Sequence, residues 1–270
     1  LFVVPTGGGQ NEDPVLGSKT SPIPPDPKLE ALYRPLRTAK AFAHAQDFSQ
    51  RAKLLRDPGH IPLMKSHFDH MQVEGIEQEI ESIRSKGHTI VQGMNLHQFT
   101  VTFTDGRSRQ IQLIEEGSEL VVDWPAYQRE DASQWNKLLS GRIEQLELRC
   151  EASVSHYYNY AFNDPQKYVA FTLRSPECEE LIYAYARRRS HRALILSSAL
   201  GKGRRQVTLQ LATVHGSHQQ RQFLVSKVTS LAWAKGGEDF EDSVYATTLP
   251  AFAEANVASS ELPQYRRGTF

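Results

Sequence analysis

The first third of the chain carries apolar residues at helical spacing. They form an apolar stripe that consists of Leu29, Leu32, Tyr33, Leu36, Ala39 and Ala43. Because one helix face repeats every three or four positions, this stripe predicts an amphipathic helix that begins after Pro27. Proline removes a main-chain donor from a helix interior, so Pro35 predicts a short helical turn before it and the main helix after it. Two further helices are predicted over residues 49–55 and from 61 to about 71, separated by the turn Asp57-Pro58-Gly59.

From residue 87 onward, apolar residues recur at every second position. Apolar residues alternate with threonine in FTVTFT (99–104) and with glutamine in QIQL (110–113), and Asp105-Gly106 between them is a hairpin-turn signal. The run LVVDW (120–124) predicts a third strand. This alternation gives one apolar and one polar face, so we expect an antiparallel meander of three strands whose apolar face packs on the helices.

The second half of the chain predicts mostly strands. A connecting helix is expected over residues 128–141, and a second helix is expected between Ser190 as its N-cap and Gly201 at its C-terminal end. The resulting order is three strands, a helix and two strands. The predicted strands are 143–150, 168–173, 181–186, 206–211 and 223–233.

Each half resembles a known fold, and together they predict an α+β protein. Helices followed by the pattern FTVTFTDGRSRQIQLIEEGSELVVDW resemble the cone-shaped nuclear-transport-factor-2-like (NTF2-like, cystatin-related) superfamily over residues 29–127. The later element order, with a helix followed by GKGRRQVTLQLATV, resembles an oligonucleotide/oligosaccharide-binding (OB) barrel over residues 143–236; an SH3-like barrel with an inserted helix is the alternative. The run SHYYNYAFNDPQKYVAFTLRSP with IYAYARR and VTSLAW is also similar to a two-domain family of uncharacterised planctomycete and verrucomicrobial proteins, which implies no activity.

The ends of the chain differ in composition from these two predicted domains. Residues 1–28 contain three consecutive glycines and six prolines, which predicts an extended linker. Residues 128–142 connect the two domains, and residues 237–270 are expected to form a loosely docked or mobile tail. The opening LFVVP is either a boundary of the expressed chain or the remnant of an upstream anchor, and the second alternative favours the cell envelope or periplasm.

Net charge does not indicate a class of partner, because 31 Lys and Arg residues balance 31 Asp and Glu residues. Residues 181–237 depart from this balance, with ten basic residues and no acidic residue. Arginines beside strand tyrosines are what a single-stranded nucleic-acid binder uses, although packed tyrosines with a solvated basic rim produce the same pattern. The candidate ligands for a polyanion, meaning nucleic acid or anionic glycan, are Arg187, Arg188, Arg189, Arg192, Arg204 and Arg205.

Only the NTF2-like resemblance suggests a catalytic site, because it implies a pocket between helix and sheet. The polar residues placed to line such a pocket are His67, Asp69 and His70 on the third helix and Asp123 on the last strand. The sequence contains no nucleophile motif or phosphate loop, and the His67–His70 spacing lacks an identifiable third metal ligand. We therefore predict no catalytic site, metal or other cofactor, and we leave open whether Cys150 and Cys178 are bridged.

The sequence thus predicts a non-enzymatic binding or assembly module of the cell envelope that acts through protein–protein contacts. An OB-type polyanion binder is the first alternative, and a pocket enzyme in the NTF2-like domain is the second. The predicted partner is another protein, with no membrane insertion within this chain and an anchor expected, if at all, upstream of Leu1.

Overall fold

The structure is a computed structural model that describes residues 26–45, 47–73, 79–128, 132–175, 178–201, 203–214, 217–236 and 240. Residues 1–25 of the predicted linker and almost all of the predicted tail lie outside these residues. Pro27 and Lys28, which were assigned to the linker, belong to the first helix. The chain divides into two compact units, Leu1–Arg34 and Pro35–Phe270. In the first unit, the described residues start a helix, and the Asp26 carbonyl accepts the Glu30 N–H at 2.9 Å.

Among the described residues, three α-helices precede the first strand: α1 (Pro27–His44), α2 (Phe48–Ala52) and α3 (Ile61–Val73). The expected break at Pro35 is wrong, because α1 runs through this residue. Loss of one main-chain hydrogen bond is offset by the complete burial of the Ala39 and Phe42 side chains one and two turns later. The predicted turn is confirmed, and the Asp57 carboxylate accepts the Gly59 N–H at 2.8 Å.

An antiparallel sheet follows, here called the open sheet. It contains four strands in chain order: β1 (Ile80–Val91), β2 (Met94–Phe103), β3 (Ser108–Glu116) and β4 (Glu119–Val122). The prediction of three strands missed β1, since most of its residues are exposed and a register shift between Ser85 and Gly87 interrupts any alternation. The predicted Asp105-Gly106 turn is confirmed, with Gly106 at φ +82°.

The two faces of the open sheet carry different side chains. One face packs on the helices and buries Phe99, Val101, Ile111 and Leu113 in one hydrophobic cluster. The opposite face bears a smaller cluster, formed by Leu96, Ile114 and Val121 with Ala232 and Ala234 from far along the chain. The expected polar face is therefore partly buried by a later segment.

A second, mixed sheet closes on itself and is here called the closed sheet. Its strands are β5 (Gln145–Ser155), β6 (Tyr168–Ser175), β7 (Cys178–Arg187), β8 (Arg205–Thr213) and β9 (Gln222–Ser230). Their spatial order is β5-β6-β7-β9-β8, and β8 pairs with β5 to complete the ring. Only β7 and β9 are parallel among these pairs.

Three further α-helices follow the open sheet in the described part of the chain: α4 (Trp124–Gln128), α5 (Ala132–Leu139) and α6 (His191–Leu200). Helix α4 packs in the core of the open sheet, whereas α5 and α6 pack on the closed sheet. Helix α5 lies within the connecting helix expected over residues 128–141, and its Trp135 belongs to the core of the closed sheet. Helix α6 has the predicted caps, because the Ser190 hydroxyl accepts the Ala193 N–H and Gly201 ends the helix at φ +51°. Helices against an open antiparallel sheet, followed by a closed mixed sheet, give the α+β class that the sequence predicts. In the described part of the chain, no helix has the length and apolarity needed to cross a membrane.

Candidate binding clefts between the two sheets

Residues 231–236, which follow β9, connect the closed sheet to the open sheet. The buried Trp233 indole donates to the Cys150 carbonyl at 3.0 Å, and the Thr208 hydroxyl donates to the Ala232 carbonyl at 2.8 Å. The next residue contacts the open sheet, since the Ala234 N–H donates to the side-chain oxygen of Gln112 at 2.7 Å. The 231–236 segment therefore binds both sheets.

Glutamine side chains add a second connection between the sheets. The Gln206 carboxamide oxygen on β8 accepts from Gln112 at 2.7 Å and from Gln98 at 3.3 Å, and the Gln206 amide donates to Gln110. Gln112 is fully buried, and both ends of its side chain are hydrogen-bonded. The glutamines that the alternating pattern placed on a polar face thus mediate contact between the sheets.

A cleft of about 430 Å³ lies beside the end of the 231–236 segment, and we call it the charged cleft. It is formed by the loop before α3, the end of the open sheet, the start of α4 and the 231–236 segment. The charged and aromatic side chains that line it are Arg56, Asp57, His60, Glu116, Asp123, Trp124, Arg149 and Lys235. A cleft between two packed parts of a protein, such as these two sheets, is a frequent place for a binding site.

Arg56 lies at the centre of the charged cleft. Its position is fixed by the main chain, because its N–H donates to the Val122 carbonyl of β4 at 3.0 Å. Its guanidinium contacts Glu116 at 2.7 Å and Asp123 at 3.5 Å, and it also donates to the Lys235 carbonyl. A single cation therefore holds two carboxylates and the 231–236 segment together.

The other cations of the cleft also have partners. Lys235 lies 3.0 Å from both carboxylate oxygens of Glu147, and the Arg149 side chain donates to the Trp233 carbonyl at 3.0 Å. Positive and negative groups are interleaved, so the cleft presents neither a uniform anion site nor a uniform cation site. This arrangement suits a polar segment that carries both kinds of charge.

The four residues predicted to line a pocket do not converge. Asp123 lines the charged cleft. It also caps α4, because its carboxylate accepts the Ala126 N–H at 2.9 Å. His67 lies against the ring of Trp124, with ring centroids 5.5 Å apart, and burial lowers the pKa of this histidine. Asp69 is exposed and pairs with Lys65 on the same helix at 2.5 Å. His70 is also exposed.

The six predicted polyanion ligands lie at two ends of α6. Arg187, Arg188 and Arg189 are exposed where β7 ends, and Arg188 donates to the Pro165 carbonyl at 2.6 and 2.9 Å. Arg192 lies in the first turn of α6. Arg204 and Arg205 follow the helix, which has ten residues and therefore rises about 15 Å. The basic residues form two groups, which does not favour one continuous anion-binding groove.

The tyrosines of β6 and β7 lie on the outer face of the closed sheet. A small barrel was expected to hold its aromatic residues inside, which is wrong for these tyrosines, because the alternate residues Ala184 and Ala186 point inward and belong to the core. The β5–β6 connection covers this face: Phe162 stacks on Tyr185 with centroids 4.1 Å apart, and Tyr157 stacks on Tyr183 at 4.3 Å. These outer rings are therefore packed against the protein's own loop.

Sequence reasoning missed most residues of the charged cleft. Arg56, Glu116 and Arg149 come from separate segments and carry no motif; Lys235 was counted only as part of the basic stretch. Among the described residues there is no group of three side chains able to hold a metal ion. Both cysteines are free thiols: Cys150 is buried and Cys178 is partly buried.

No protein-family model matches the chain, and none of the curated proteins matches it. Its function is therefore inferred from the geometry of the clefts.

Proposed function

We propose that this chain is a non-enzymatic binding and assembly module of the cell envelope, which acts through protein–protein contacts. The observation that carries the proposal is the charged cleft of about 430 Å³, whose wall alternates between Arg56, Glu116, Asp123 and Lys235. A peptide segment offers main-chain donors and acceptors together with side chains of both signs, and it is the kind of ligand that matches such a wall. The envelope assignment rests on the composition of residues 1–28.

Two fold resemblances support this proposal. Helices packed on a four-stranded antiparallel sheet agree with an NTF2-like domain, and many domains of that superfamily serve only in binding or assembly. The closed sheet has the order 1-2-3-5-4 in its own numbering with a helix between strands 3 and 4, which agrees with an OB barrel. In this proposal the open sheet and the closed sheet form one binding unit, because the 231–236 segment contacts both.

The proposal is tested by panning a random-peptide phage library against the full chain. Glu116 lines the cleft, and its side chain is 45% exposed, so Glu116→Lys changes the charge of the wall without removing core contacts. Glu119→Lys, at an exposed position of β4 outside the cleft, is the matched control. We expect enriched peptides to bind the unchanged chain and Glu119→Lys equally, and to bind Glu116→Lys at least about tenfold more weakly.

Two outcomes would contradict the proposal. Either no peptide is enriched on the unchanged chain, or the two variants lose affinity equally. Calorimetric titration with one enriched peptide distinguishes a specific loss from general unfolding, and circular dichroism of each variant checks the fold.

A second candidate function is binding of single-stranded nucleic acid, which is favoured by the OB-like strand order and by the partly exposed Tyr157 on the outer face of β6 and β7. Filter binding of an oligothymidine at two salt concentrations tests this candidate. A phosphate-dependent complex weakens steeply as salt rises. Absence of binding at low salt, or binding that does not respond to salt, removes this candidate.

A further inference from the structure

A second cavity of about 330 Å³ lies at the other end of the 231–236 segment, and we call it the arginine groove. It opens between β1 and β2 of the open sheet and β5 and β8 of the closed sheet. Arg204, Arg205 and Glu151 supply its charged groups, and Val91 and Leu231 supply apolar surface. The groove shares no lining residue with the charged cleft.

The charges of the groove do not cancel. The Arg204 guanidinium is 3.4 Å from the Glu151 carboxylate, which is longer than the roughly 2.8 Å of a strong charge-assisted hydrogen bond. Arg205 is exposed, and no hydrogen bond or ion pair joins its side chain to any other residue that the structure describes. Two guanidinium groups against one carboxylate leave a formal charge of one positive unit.

The groove has a preorganised wall. Gln206 lines it, and its carboxamide is held by Gln112 at 2.7 Å, by Gln98 at 3.3 Å and by Gln110. The main chain of Ala232, which also lines the groove, is fixed by the Thr208 hydroxyl at 2.8 Å. A site whose walls are already ordered loses little conformational entropy when it binds a ligand.

We propose that the arginine groove binds a small organic monocarboxylate with a short aliphatic chain. One net positive charge matches a monoanion, and the planar fork of a guanidinium matches a carboxylate. The apolar surface of Val91 and Leu231 accommodates the aliphatic part of the ligand. A polyanion does not fit, because Arg204 and Arg205 are the only cations that line the groove among the described residues, and Arg204 already faces the Glu151 carboxylate.

The test uses the full chain labelled with ¹⁵N and titrated with hexanoate. We expect saturable shifts of the side-chain amide signals of Gln98 and Gln206, with a dissociation constant in the millimolar range. Arg205→Gln is expected to weaken binding at least about tenfold, because it removes the guanidinium that has no partner. Glu151→Gln is expected to strengthen binding, since it removes the competing carboxylate.

Controls separate this proposal from nonspecific attraction. Arg189→Gln removes an exposed arginine outside the groove and should leave the affinity unchanged. Hexanol has the same chain without the charge and should produce no saturable shift. Equal affinity of hexanol and hexanoate, unchanged affinity in Arg205→Gln, or no shift with hexanoate would each overturn the proposal. Because the probe and the groove differ from those of the charged cleft, failure here leaves the peptide-binding proposal unaffected.

Discussion

The side-chain oxygen of Gln112 accepts the main-chain N–H of Ala234 at 2.7 Å, while the amide of the same side chain donates to Gln206 at 2.7 Å. One fully buried carboxamide on β3 therefore binds both the 231–236 segment and β8. A buried polar group that loses its partner costs more than its hydrogen bond contributes. The contact between the two sheets should thus depend strongly on this residue.

Replacement of Gln112 with leucine is expected to lower the free energy of unfolding by about 1 to 3 kcal/mol, because the Ala234 N–H loses its acceptor. Urea denaturation followed by circular dichroism measures this change. Gln98→Ala is the control, since its hydrogen bond to Gln206 is 3.3 Å long and only partly buried, and its cost should be smaller. If the two variants lose the same free energy of unfolding, Gln112 does not contribute more than Gln98 to the contact between the sheets.

Phe162 is the second residue expected to be sensitive to truncation. It is 1% exposed, and its ring is parallel to that of Tyr185 at 4.1 Å. Phe162→Ala is expected to cost about 3 to 5 kcal/mol, because it leaves a cavity beneath the β5–β6 connection. Tyr157→Ala removes a ring that is 36% exposed and should cost about 1 kcal/mol. Urea denaturation of both variants decides this, and a larger loss for Tyr157→Ala would refute the assigned packing.

The sequence predicted well those elements whose signals are local. The four strands β6 to β9 were predicted within three residues of their observed bounds, and α6 has Ser190 and Gly201 at its ends as expected. Strand β5 extends to Ser155, five residues beyond its predicted end. Strand β1 was missed because an exposed edge strand has no buried face to impose alternation. The break predicted at Pro35 was wrong because helix packing, which a local pattern does not contain, outweighs one lost hydrogen bond.

The candidate sites were much less predictable. Arg56 and Glu116 lie sixty residues apart in sequence, and only the pairing of residues 54–56 with β4 brings them together. Asp123 was identified because the NTF2-like resemblance implies a pocket beside the last predicted strand, yet its neighbours in the cleft were not. The structure ends that strand at Val122, so Asp123 lies after it. Tertiary contacts between segments that are distant in sequence create the charged cleft and the arginine groove. The basic stretch did identify Arg204 and Arg205, but not the other residues that line the groove.

The two free cysteines should differ in reactivity. Cys150 is completely buried in the core of the closed sheet, whereas Cys178 is partly buried at the start of β7. Titration of the native chain with Ellman's reagent is expected to modify Cys178 first and Cys150 only after denaturation. Cys178→Ser should therefore abolish the reaction of the folded protein. Rapid reaction of both thiols, or the absence of any free thiol after denaturation, would contradict this expectation.

His67 should make stability depend on pH. Burial against Trp124 is the main cause that lowers the pKa of this histidine, and Arg109 and His70 act in the same direction. Below the usual histidine value of about 6.5, the unfolded chain therefore binds a proton that the folded chain does not bind, and stability is lost as the pH falls through the lowered pKa.

His67→Gln is expected to reduce this loss, because the substituted side chain does not titrate. The measurement is urea denaturation at about pH 7.5 and about pH 5.5, on either side of the usual histidine pKa. His70→Gln, at an exposed position of the same helix, is the control and should keep most of the dependence. If His67→Gln loses as much stability between the two pH values as the unchanged chain, buried His67 is not the source of the effect.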